Sequence, residues 1–110
     1  MDKLKILVVD DESRMRKLVR DFLVRQDFDV IEAGDGEEAL DLFYKDKSIA
    51  LIILDVMMPG IDGIECCRRL KSELQTCHIP VILLTACSLD EQRIQGYDGG
   101  ADSYISKPFS

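Results

Sequence analysis

The 110-residue chain is long enough for one domain and too short for two, and its 46% apolar content is that of an ordinary globular core. A formal net charge of −7 argues against direct nucleic-acid binding, which draws on clustered Lys and Arg to neutralise phosphates. No apolar run reaches the roughly 20 residues of a membrane helix, and the opening MDKLKILVVDDE meets acid too early for a secretory leader. The expectation is therefore a single cytoplasmic domain over residues 1–110, with no membrane or nucleic-acid partner of its own. The densest basic stretch, Arg14, Arg16, Lys17 and Arg20, reads as the solvated face of one helix. Cys66, Cys67, Cys77 and Cys87 lack CxxC spacing, and His78 beside Cys77 is too little for a metal site, so the thiols read as small apolar residues kept reduced.

Taken in chain order, apolar runs of strand length alternate with helical patterns, as in βα units of a parallel sheet. Ile6-Leu7-Val8-Val9 is continuously apolar and ends in acid, as a strand buried on both faces does. Met15, Leu18, Val19, Phe22 and Leu23 then repeat at helical spacing, with Ser13 as the expected N-cap. A short strand over Asp29–Ala33 leads through Gly34-Asp35-Gly36 to a helix carrying Ala39, Leu40 and Phe43. Leu51-Ile52-Ile53-Leu54 is a second buried run and ends at Asp55. Turn residues follow at Pro59-Gly60 and Asp62-Gly63. The third helix places Ile64, Cys67, Leu70 and Leu74 on one stripe; Pro80 opens the strand Val81–Leu84, which ends at Thr85. A weakly patterned helix over Leu89–Tyr97 stops at Gly99-Gly100, and Ser103-Tyr104-Ile105 forms a fifth strand before Lys107-Pro108. Five strands and four helices result, and a fifth helix is expected to follow the last strand.

Right-handed crossovers make these strands parallel and align their carboxyl ends along one edge, where open α/β sheets bind ligands. That edge receives Asp10, Asp11, Asp55, Thr85 and Lys107. Crowded carboxylates repel, and a hard divalent cation such as Mg²⁺ relieves the repulsion. A carboxylate can also attack phosphorus to give an aspartyl phosphate, provided cations neutralise the phosphoryl oxygens. Lys107 can supply one such charge and the Thr85 hydroxyl a hydrogen bond. Taken singly, an acidic turn capping a helix, a surface lysine and a strand-end hydroxyl are each unremarkable; together they form a constellation.

The blocks VVDDE, LDVMMPGIDGIE, HIPVILLTA and GGADSYISKPF, with AGDGEEAL between the first two, resemble the response-regulator receiver domain of two-component signalling over essentially the whole chain. The resemblance implies a flavodoxin-like, doubly wound five-stranded parallel sheet of order 2-1-3-4-5, here ending before the last helix. It implies Asp55 as phosphoacceptor and Mg²⁺ held by Asp11, Asp55 and the Met57 backbone carbonyl, with Asp10 acting mostly through water. Thr85 matches the switch hydroxyl, Tyr104 the switch aromatic and Lys107 the phosphate-pairing lysine. The donor implied is a phosphohistidine on a sensor histidine kinase or phosphotransfer protein, and the chain is expected to catalyse only its own phosphorylation and dephosphorylation. Met57 and Cys87 occupy the positions at which members of this family tune dephosphorylation. A chain without the last helix is expected to leave apolar sheet surface exposed, which invites homodimerisation.

The acceptor block and the stretch Glu91–Phe109 look most like receivers joined to winged-helix DNA-binding domains, so a transcription regulator is the expected parent. A stand-alone or hybrid-kinase receiver acting through protein–protein contacts is the alternative. An aspartyl-nucleophile phosphohydrolase fits less well, because Asp55-Val56-Met57 lacks the second acid of a DxD motif. A flavin or nucleotide domain on the same fold would need a Gly/Ser/Thr-rich cradle where Asp10-Asp11-Glu12 stands.

Overall fold

A computed structural model of the chain describes residues 3–58, 60–74, 76–85 and 101–106. The elements are β1 (Lys5–Val9), α1 (Ser13–Arg25), β2 (Asp29–Ala33), α2 (Gly36–Lys45), β3 (Ile49–Asp55), α3 (Gly63–Lys71), β4 (Val81–Thr85) and β5 (Ser103–Ser106). The strands form one parallel sheet in the order β2-β1-β3-β4-β5, which is the expected flavodoxin-like order. The chain therefore steps outward from β1 to β2, crosses back over β1 to β3, and continues the other way. The reversal between β1 and β3 opens a crevice at their carboxyl ends. The helix expected over Leu89–Tyr97 and its stop at Gly99-Gly100 lie outside the described residues.

The two faces of the sheet sort the strand residues by the alternation of a pleated chain. On one face Leu7, Val9, Ile52, Leu54, Val81 and Leu83 pack against buried residues of α2 and α3. On the other, Ile6, Val8, Ile53 and Leu84 pack against Val19 and Leu23 of α1. The stripe expected on α1 is only partly buried: Leu18 is 54% and Phe22 57% exposed. These two flank the buried pair on a helix too narrow to shelter all five apolar residues. Ile105, in register with Leu84 and so on the α1 side of the sheet, is 40% exposed. Among the described residues, apolar side chains on this side thus remain open to solvent.

Helix ends correct the sequence reading in two places. Glu12, not Ser13, is the N-cap of α1 and makes no side-chain cap bond. The Asp10 carboxylate accepts from the Glu12 N–H at 2.9 Å, closing a turn just before the helix. Asp35 and Asp62 cap α2 and α3, each accepting from the backbone N–H three residues on at 2.8 Å. The second correction is Leu74, expected on the buried stripe of α3. That helix stops at Lys71, with Ser72 as C-cap bonding back to the Arg69 carbonyl, and leaves Leu74 93% exposed. The α1 C-terminus closes by a Schellman pattern: the Phe28 N–H reaches the Leu23 carbonyl and the Asp27 N–H the Val24 carbonyl. Asp27 takes the left-handed conformation that this closure demands (φ 72°), a position glycine usually fills.

Lys71 ties the end of α3 to both strands beyond it. Its ammonium donates to the Ile79 carbonyl at 2.8 Å and the Cys77 carbonyl at 3.2 Å, and pairs with Asp102 at 2.8 Å. Asp102 in turn accepts from the Val81 N–H and returns its own N–H to the Val81 carbonyl. The hydrogen bond from Lys71, helped by that from Val81, holds the Asp102 carboxyl below the ordinary carboxylate range, against the opposing effect of burial. Lys71→Met is expected to cost about 1–3 kcal/mol, because a carboxylate and two carbonyls lose a charged donor. The folded-state pKa is depressed, so the stabilisation is full above the unfolded value of about 4 and fades as pH falls through the folded one. In urea unfolding carried from neutral to acid pH, Asp102→Asn should lose less stability on acidification than the native chain. Parallel pH profiles would rule this contact out as a source of acid sensitivity.

Cys66 and Cys67 are buried thiols on α3, and burial raises them to about 12 and about 11. Cys77 is free and exposed; Cys87 lies outside the described residues. In a Cys87→Ser chain, a thiol-specific reagent should therefore modify Cys77 alone until denaturant is added. Rapid native labelling of the adjacent pair would contradict the packing of α3.

Candidate functional site

β1 and β3 run side by side with Val9 opposite Leu54, so the next residues, Asp10 and Asp55, leave the sheet at the same level. Both are buried, at 0% and 4% exposure, while Asp11 is exposed beside them. Carboxylate oxygens of Asp10, Asp11 and Asp55 all lie within 4.8 Å of one another. The sequence-predicted acids are thus brought together at the crevice between β1 and β3.

Backbone contacts fix two of the three acids. The Asp10 N–H donates to the Ala33 carbonyl at 3.2 Å, its carbonyl accepts from the Arg16 guanidinium at 2.6 Å, and its carboxylate accepts from the Glu12 N–H. Asp55 is the last residue of β3. The Val56 N–H continues the ladder to the Leu84 carbonyl, and the Gly63 N–H closes the loop onto the Val56 carbonyl, both at 3.0 Å. Gly63 is required by space: a Cβ there would stand 2.2 Å from the Asp55 carbonyl oxygen and 2.8 Å from the Val56 Cα. Close approach of the α3 N-terminus to the β3 terminus therefore sets where Asp55 sits.

The donor set fits a hard cation. Three carboxylates repel one another as the low-dielectric crevice sharpens their charge, and Mg²⁺ favours one or two carboxylates with a carbonyl and retained waters. Asp11 and Asp55, with the carbonyl of Met57 in the following loop, are the residues that would hold it. The Met57 side chain is 62% exposed and leaves its backbone to serve.

The remaining predicted residues are placed by register alone or not at all. Thr85 ends β4 one residue beyond Leu84, the partner of Asp55, and pairs with Ser106; Tyr104 pairs with Leu83. Thr85 thus comes to the same edge as the acids, whereas the hydroxyl and ring roles assigned to Thr85 and Tyr104 lie outside the described structure. Lys107, Pro108 and Cys87 also lie outside the described residues.

Two residues that sequence reasoning undervalued belong to the site's frame. Gly63 was legible only as a turn residue; an Asp-Gly pair opening a helix just after a strand-end acid is the signal that fits it. Arg16, read as part of a solvated basic face, is only 21% exposed at its side chain and is engaged by Asp10 and Glu32. Its neighbour Arg20 also reaches Glu32, at 3.6 Å. A separate groove between α2 and α3, where the Tyr44 hydroxyl donates to Glu73, lies apart from the acids.

Comparison with known proteins accords with this geometry. Residues 6–110 match the response regulator receiver domain. The chain is 46% identical over 109 residues to the transcriptional regulatory protein ResD of Bacillus subtilis, covering 99% of this chain and 44% of that protein. It is 43% identical over 106 residues to the transcriptional regulatory protein SrrA of Staphylococcus aureus, covering 96% and 42%. The chain spans less than half the length of these relatives. Among solved structures, the chemotaxis protein CheY4 of Vibrio cholerae superposes with a TM-score of 0.92 at 32% identity, covering 99% of this chain and 90% of that one. The receiver domain of a signal transduction histidine kinase from Syntrophus aciditrophicus gives 0.89 at 33% identity, covering 96% and 80%. A parallel sheet of order 2-1-3-4-5, an acidic crevice at its reversal point and a family match over nearly every residue lead to one conclusion: the chain belongs to the response regulator receiver domain family.

Proposed function

We propose that this chain is a phosphorylation-activated signalling switch whose Asp55 accepts a phosphoryl group from a phosphohistidine of a sensor histidine kinase or phosphotransfer protein. The observation that carries the reading is the meeting of three carboxylates within 4.8 Å at the end of two buried strands, with Asp55 itself nearly enclosed. A carboxylate oxygen of Asp55 attacks phosphorus, the bond to the donor imidazole nitrogen breaks, and the leaving imidazole takes up a proton. Bound Mg²⁺ would neutralise charge on the phosphoryl oxygens during transfer. Asp11 and the Met57 carbonyl would hold that ion with Asp55, Asp10 would act through water, and Lys107 would pair with the phosphoryl group. Thr85 donates its hydroxyl, and Tyr104 follows it inward, changing the surface near β5 that a partner reads. Catalysis extends only to the chain's own phosphorylation and dephosphorylation.

The output is carried by a partner or by a domain beyond this one. ResD and SrrA are transcriptional regulatory proteins more than twice this length, which favours a receiver over residues 1–110 that controls transcription through a further domain. The chain does not read DNA itself, given its charge of −7. The setting is cytoplasmic, and among the described residues no helix is long and apolar enough to cross a membrane. The open apolar surface of Leu18, Phe22 and Ile105 supports homodimerisation. A stand-alone receiver is the second reading, favoured by the 90% coverage of the chemotaxis protein CheY4.

Intact mass after incubation with acetyl phosphate tests the switch. A Mg²⁺-dependent gain of one phosphoryl group, absent in Asp55→Asn, is expected. No gain by a folded chain, or an equal gain by the mutant, overturns the assignment. Gly63→Ala must push the Asp55 backbone aside; about 1–3 kcal/mol of lost stability and much slower phosphoryl uptake are expected, measured by denaturant unfolding and by the same mass assay.

A further inference from the structure

We propose that Arg16 is a positioning residue for the divalent ion, acting through the main chain of Asp10. The inference rests on the reading of the acidic crevice as a Mg²⁺ site.

The guanidinium lies between two strand ends. Nη1 donates to the Asp10 carbonyl at 2.6 Å, and Nε donates to the Glu32 carboxylate at 3.0 Å. Glu32 sits at the end of β2, one residue before Ala33, whose carbonyl accepts the Asp10 N–H. Asp10 is therefore gripped at its N–H from β2, at its carbonyl from α1, and at its carboxylate by the Glu12 N–H. The carbonyl that Arg16 holds belongs to the peptide joining Asp10 to Asp11. The plane of that peptide sets the direction in which the exposed Asp11 leaves the strand. Arg16 thus reaches both acids through one bond, while Glu32 fixes the guanidinium so that its fork is spent on this contact.

A purely electrostatic role predicts the opposite sign. A cation beside the crevice repels Mg²⁺, so removing it would tighten binding. A positioning role predicts that removing it loosens binding, because the carboxylates scatter. Partners behind metal ligands commonly affect metal affinity by roughly 10–100-fold when lost.

The test is a Mg²⁺ titration of the unphosphorylated chain followed by amide NMR shifts at Asp11 and Val56, with EDTA-treated protein as the start point. Arg16→Met is expected to weaken Mg²⁺ binding by about tenfold or more. Arg16→Lys, which keeps the charge but replaces the planar fork with donors at a single point, should also weaken it. Arg16→Met combined with Glu32→Gln should weaken it no further than Arg16→Met alone, since both act through one contact. Thermal unfolding without metal identifies the temperature at which every variant is folded, and titrations are run there. Unchanged or tighter binding by folded Arg16→Met, or native affinity in Arg16→Lys, overturns the positioning role. If the native chain itself fails to bind Mg²⁺, the metal reading of the crevice falls first, and this inference with it.

Discussion

The placement of like charges at one sheet edge is the constraint on which the rest of this molecule depends. Two carboxylates about 5 Å apart repel by roughly 3 kcal/mol at an effective dielectric near 20. That is a sizeable share of the 5–15 kcal/mol by which typical domains are stable. Such a cost persists only where the backbone leaves the groups little choice. Asp10 is held at three of its own atoms, and Asp55 is fixed by a ladder bond on one side and by the van der Waals limit of Gly63 on the other. The apolar runs behind them, Ile6–Val9 and Ile52–Leu54, are buried on both sheet faces and anchor the two strands. Core packing and site geometry are in this sense one feature: the core fixes the strands, and the strands deliver the acids.

Much of this was legible in the sequence because it follows from period and punctuation. Continuous apolar runs ending in acid located β1 and β3, and the alternation with helices led to parallel pairing; the strand order came only from the family resemblance. The acids could be read from their position after those runs without any knowledge of side-chain contacts. What escaped depended on competition between neighbours. Ser13 is the first residue of α1 and the extended Glu12 before it takes the capping position, which residue-type preference alone does not reveal. Leu74 fell off its stripe because Ser72 closed α3 a turn early, and periodicity does not register where a helix stops. Leu18 and Phe22 belonged to a stripe wider than the contact α1 makes with the sheet. Arg16 was misread because its partners, Asp10 and Glu32, come from two other elements.

The division of labour between the two sheet faces also bears on signalling. The α2–α3 side carries the larger buried cluster, with Cys66 and Cys67 as inert filler and Lys71 as a clasp at the edge remote from the acids. The α1 side carries a smaller cluster and keeps apolar side chains in water. The larger buried cluster therefore lies on the face that carries α3, whose N-terminus packs against the Asp55 backbone. That arrangement agrees with membership of a family whose relatives include both transcriptional regulators and a chemotaxis protein.

The central claim, that the crowded acids form a cation site whose occupancy relieves their repulsion, is tested most directly by thermal unfolding at neutral pH as a function of Mg²⁺. The account predicts a midpoint that climbs with Mg²⁺ concentration as a folded-state ligand demands, and not with Na⁺ at equal ionic strength. It also predicts that Asp55→Asn is more stable than the native chain without Mg²⁺ and gains less from its addition. A native midpoint indifferent to Mg²⁺, with Asp55→Asn no more stable than the native chain, would contradict it.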